Sequence, residues 1–195
     1  MRFIRNVLAI IGLLALIALG YAIFALEPYA GQVRALDSKA PAVYAQMART
    51  VLETGDAAEA MVYKRRVDEG LSVSEVEDVL RLVANELNIR NVGELPMGEE
   101  VRNVTGEDFP FLQIYMFCDV TIAAQMVRYS PAMAAYLPCR IVLQEDDEGN
   151  LWLMTLDLDV MIHGGRSLPP ELREQALHVK QALEEIIDRA AVGAF

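Results

Sequence analysis

The feature that most limits what this chain can fold into is a run of twenty uncharged residues, Val7 to Leu26 (VLAIIGLLALIALGYAIFAL). A helix apolar on every side must be buried in a large core or in a bilayer. Twenty helical residues at about 1.5 Å rise span the ~30 Å hydrocarbon layer. Arg2 and Arg5 precede the run, and Glu27 and Pro28 follow it, so the positive-inside rule keeps the N-terminus in the cytoplasm. A cleaved secretory signal competes, but its apolar part is shorter, about 7–15 residues, and it ends in a small-residue site. Here the exit is Phe24-Ala25-Leu26-Glu27-Pro28. We therefore expect residues 1–26 to be an uncleaved signal anchor that crosses the inner (cytoplasmic) membrane once. Residues 7–26 would meet the lipid, and the rest would lie in the periplasm.

Charge then narrows the partners. Two of the seventeen basic residues lie before Glu27 and all twenty-eight acidic ones from Glu27 onward, so the outer portion carries a net −13. Such a surface repels nucleic acid and anionic lipid headgroups. Its densest basic cluster is only Lys64-Arg65-Arg66.

Residues 27–59 read as a juxtamembrane segment with an accessory helix. Ser38 and Pro41 mark its start and Gly55 its stop, and Val43, Met47 and Val51 recur every fourth residue. Residues 60–195 read as one domain. Met61 to Val67 is strand-like with a basic centre, suited to a sheet edge. Ser72 and Glu75 form a capping box before Val76, Val79, Leu80, Val83 and Leu87, which share a helical face. Asn91 to Leu95 reads as a weaker strand, and Pro96 to Pro110 as a loop-rich stretch that forms a flap or carries a short helix.

Leu112, Ile114, Met116 and Cys118 alternate with Gln113, Tyr115, Phe117 and Asp119. This period of two places Cys118 on the more apolar side of a strand. Thr121 to Ala135 reads as a helix interrupted at Ser130-Pro131. Arg140–Glu145 and Leu151–Leu158 then form a hairpin turned at Gly149-Asn150. Five acidic residues near its tip lack the spacing of a calcium loop, so a solvated turn is expected. Ser167, Pro169 and Pro170 open a last helix with Leu172, Ala176, Val179, Leu183, Ile186 and Ala190 on one face.

The strand ending in Phe117-Cys118-Asp119, the helix leading into Leu137-Pro138-Cys139-Arg140, and Glu145-Asp146 before Gly149 together resemble the bacterial domain-of-unknown-function family numbered 302. The resemblance implies an α+β fold: a small antiparallel sheet backed by helices in β-α-β-β-α-β-β-α order, here preceded by one transmembrane helix. It also implies homodimers among relatives. No activity or catalytic residue comes with it.

No phosphate loop, nucleophile elbow, C-x-x-C or H-E-x-x-H is present. His178 is expected on the flank of the last helix. Trp152, Met116, Met126, Met133 and Met154 are expected to fill core gaps, with a methionine-lined metal pocket as the alternative. Cys118 and Cys139 admit three readings: a disulfide, two buried thiols, or a redox or metal pair. If their strands pair antiparallel, the two thiols meet at one sheet end, and His163 leaves the sheet nearby. Cys118, Cys139 and His163 are thus a candidate redox or metal cluster, with copper or zinc its metal. Two functions follow. One is a non-enzymatic binding or interaction module of the envelope, without cofactor, acting in a membrane complex or as a homodimer. The other is a protein handling thiols, sulfur or soft metals.

Overall fold

The computed structural model describes residues 2–195. Met1 lies outside the described residues, as do the side chains of Arg2 and Phe3. Helix α1 (Arg2–Leu26) carries the apolar run. It continues through a 3-10 turn at Glu27–Tyr29 into α2 (Ala30–Ala35), and this stretch is long and apolar enough to cross a membrane. Helix α3 (Ala40–Thr54) has proline in its first turn and ends at Gly55 in the left-handed region, φ 72°. Val43 and Met47 of its stripe are half-buried, whereas Val51 is exposed.

The domain is α+β. Its five antiparallel strands are β1 (Val62–Arg66), β2 (Arg90–Leu95), β3 (Leu112–Cys118), β4 (Cys139–Glu145) and β5 (Leu151–Leu156). They lie in the order β1-β5-β4-β3-β2. The basic strand β1 is at an edge, as its composition requires. Two helices cover one face of the sheet: α4 (Val73–Glu86) and α8 (Pro170–Ala191). The Ser72/Glu75 capping box is formed in both directions, satisfying two N–H groups at the start of α4. On α8 the expected face is buried except at Val179, which is half-buried.

The expected hairpin forms, with Glu145 opposite Leu151 and Ile141 opposite Thr155. Gly149 takes φ +82° in its turn, a conformation that glycine adopts without strain. Asp146 accepts from the Asn150 amide at 2.8 Å and from Trp152 Nε1 at 2.8 Å. Trp152 is therefore a clasp on the hairpin and no core filler.

Four expectations are settled, the last two as corrections. Pro96–Pro110 carries a short helix, α5 (Met97–Thr105), the second of the two forms open to it. The interruption at Ser130-Pro131 is present: α6 (Val120–Tyr129) stops, and a new helical start at Pro131 gives a separate 3-10 helix, Pro131–Tyr136. Strand β5 ends at Leu156, because Asp159–His163 winds into a short helix, α7. Finally, β3 keeps its period of two but with the faces exchanged. Tyr115 and Phe117 are fully buried under the helices, while Leu112, Ile114, Met116 and Cys118 are half-buried. The Tyr115 hydroxyl, which donates to Glu77 on α4, lets that tyrosine face inward. Met116 and Met154 consequently sit on the face opposite the helices, outside the core that Tyr115, Phe117, Ile141, Leu143 and Leu153 build.

Candidate functional site

Strands β3 and β4 pair with Phe117 opposite Cys139. Cys118, the next residue, therefore ends its strand beside the start of the other. The antiparallel arrangement expected from the sequence is present, and it brings the two cysteines to one end of the sheet. Both are free thiols, and both are partly exposed.

Asp119 follows at once and caps α6, its Oδ1 accepting from Thr121 N at 2.9 Å and Ile122 N at 3.0 Å. This cap turns the chain away from the sheet. It lays the apolar side of α6, Ile122 and Met126, over the strand ends. The 3-10 helix returns Met133 to the same place, and α7 adds Met161 and Ile162 from the other side. Between them lies a cavity that both thiols line.

The cavity has about 50 Å³ open to the centres of water-sized molecules. One water needs ~10–15 Å³ on that measure, so a few atoms fit. Drug-sized or cofactor-sized pockets run to ~300–1,000 Å³. The wall is almost wholly apolar, and Asp119 is its one ionisable side chain besides the thiols. Burial pushes the Cys139 thiol up to about 11, and the neighbouring Cys118 adds to the effect. Burial also raises Cys118, and Asp119 contributes. Both groups are therefore uncharged thiols at neutral pH.

His163 does not join them. Its Nδ1 lies 3.3 Å from Asp37 Oδ1, and both side chains are buried, at 5% and 3% exposure. Asp37 also accepts from Lys39 N at 2.9 Å and from the Ser167 hydroxyl at 3.2 Å. The Lys39 N–H, then Ser167, His163 and Arg173, hold its carboxyl below the usual range against the opposing effect of burial. His163 thus pins the juxtamembrane segment to the domain. Asp37 N donates to Gly165 O at 2.9 Å, and the Tyr44 hydroxyl donates to Gly164 O at 2.6 Å beside it. Nothing in the sequence around Asp37, 126 positions earlier, marked it as the histidine's partner. His178 is exposed on α8. Among the described residues, no group of three or more His, Cys, Asp and Glu side chains is arranged to hold a metal ion.

Sequence reasoning missed Met161 as a site residue. It also took Met126 and Met133 as gap-fillers first, although the helix break at Ser130-Pro131 is the signal that folds Met133 back over Met126.

A family model described as "Domain of unknown function DUF302" matches residues 63–190. An uncharacterised protein of Aquifex aeolicus (strain VF5) is 27% identical over 135 residues, which are 67% of this chain and 87% of that protein. The crystal structure of an uncharacterised conserved DUF302 protein from Bacillus stearothermophilus superposes with a TM-score of 0.55 at 19% identity. It matches 67% of this chain and 98% of its own. At that identity the likeness carries the fold.

Proposed function

We propose a function from a single premise: the chain belongs to the DUF302 family, whose description assigns no activity. The protein is a membrane-anchored binding module of the bacterial envelope, non-enzymatic, with the thiol-lined cavity as its ligand site. The observation that carries this reading is the cavity itself. Its apolar wall and its few-atom capacity suit a small ligand without a hard charge. Asp119, the one carboxylate there, is already committed to capping α6, which favours holding a ligand over acid–base chemistry. The anchor reading draws support from α1 and its continuation, apolar and unburied by the domain. Arg2 and Arg5 favour an N-terminus in the cytoplasm and a domain in the periplasm. A C-terminal reporter that works only in the cytoplasm would refute that orientation.

Xenon is a suitable probe of a small apolar cavity. The chain has nine methionines, and their methyl NMR signals can be followed in the full-length protein in nanodiscs under xenon. Met126, Met133 and Met161 should shift, and Met116 and Met154 should not. Ala123→Leu, which fills the cavity from α6, should abolish the shifts. Unshifted signals at all three positions, or shifts that survive Ala123→Leu, would refute the assignment.

A further inference from the structure

Eleven residues of this chain carry sulfur, two cysteines and nine methionines. Five of them line the one cavity: Cys118, Met126, Met133, Cys139 and Met161. They come from β3, α6, the 3-10 helix, β4 and α7, so the fold gathers sulfur-bearing residues from five separate elements around it. Building a dry core does not require this. Leucine or isoleucine would fill the same wall with better-defined rotamers.

We propose that this cavity binds a single soft monovalent metal cation, copper(I), through sulfur alone. The inference rests on the reading of the cavity as the ligand site and names its ligand class. Thiolate and thioether donors select copper(I) among biological metals. The room available suits one ion among side chains and excludes a chelated or organic cofactor. Charge decides between the metals. A buried site disfavours net charge, and one thiolate with neutral thioether donors around a monovalent cation leaves none.

Zinc fits less well. It takes four ligands from thiolate, imidazole and carboxylate. Here the imidazole of His163 is paired with Asp37 and the carboxylate of Asp119 caps α6. The binding step transfers no electron. One cysteine S–H bond breaks, the sulfur lone pair bonds the metal, and the proton leaves to water. The methionine sulfurs donate lone pairs without proton release, and the metal stays copper(I) throughout.

The test is an anaerobic titration of the thiol-reduced, full-length protein in nanodiscs with the copper(I)–acetonitrile complex against a coloured copper(I) chelator. One equivalent should be withdrawn from the chelator per chain, and zinc(II) should not displace it. One of Cys118→Ser and Cys139→Ser, the variant that removes the thiolate ligand, should weaken copper(I) at least 100-fold. The volume-conserving pair Met133→Leu with Met161→Leu should weaken it at least tenfold, with the protein still folded. No withdrawal by the wild-type protein would overturn the proposal, as would affinities unmoved by the cysteine variants or by the methionine pair. If xenon still shifts the three methionine methyls while copper(I) is refused, only the metal assignment falls. If neither binds, the cavity reading falls with it.

Discussion

Leu153 and Met154 are neighbours on β5 that point to opposite faces of the sheet, so truncating each to alanine measures which face is the core. Leu153 is fully buried, between Leu143 of β4 and Arg65 of β1. Leu153→Ala removes three carbons, about 2.4 kcal/mol at ~0.8 kcal/mol per buried carbon. The side chains around it belong to a sheet held on both sides, so the hole collapses poorly and a cavity term adds ~1–2 kcal/mol. The expected loss is about 3–5 kcal/mol. Met154 is half-buried on the face that α4 and α8 leave open. Roughly half the transfer term applies and no closed cavity forms, so Met154→Ala should cost about 1 kcal/mol. Urea unfolding at pH 7, followed by Trp152 fluorescence, gives both values at a common slope. Equal losses, or a larger loss at Met154, would show that the sheet has been assigned the wrong core face.

Two further outcomes follow from polar contacts. Asp146, which the Asn150 side chain first and Trp152 next hold down to about 2, contributes stability that is complete above the unfolded carboxylate value. That contribution is lost as pH falls through about 2. Asp146→Ala should therefore destabilise the protein at pH 7 and progressively less from pH 4 to pH 2, and a constant difference across that range would count against the clasp. At the junction, Asp37→Ala removes the acceptor shared by Lys39 N and Ser167 and the carboxylate beside His163. Hydrogen exchange of the amides at Ala40 and Val43 should rise at least tenfold with the sheet unaffected, and unchanged exchange would mean that α3 is held by other contacts.

What was legible in the sequence was whatever depends on short-range pattern. The Ser72/Glu75 box, the hairpin around Gly149 and the long face of α8 follow from spacing alone, and the structure forms them at those positions. The resemblance to the family likewise rested on a compact stretch. The inward face of β3 was not legible, because both of its faces are apolar and the sign depends on which one the distant α4 and α8 cover. Tyr115 faces inward only because Glu77, thirty-eight residues away, accepts its hydroxyl. The candidate site shows the same division. An antiparallel pairing of the two strands was enough to bring Cys118 and Cys139 to one sheet end, and β3 and β4 pair that way. His163 was counted into the same region, but α7 rotates it away to Asp37, a residue 126 positions earlier that no local pattern connects to it. Met161 was overlooked for the same reason, since the turn of α7 that removes the histidine delivers the methionine.

The account depends most on two cysteines from separate strands lining one shared cavity, and a trivalent arsenical tests directly whether their thiols meet there. Phenylarsine oxide bridges two cysteine sulfurs only when they lie close together, releasing one water. With the reduced full-length protein the account predicts one arsenic per chain and the loss of both free thiols. Cys118→Ser and Cys139→Ser should each abolish the bridge, and Ala123→Leu should slow it. A wild-type protein in which the thiols stay separately titratable at saturating arsenical would contradict the account.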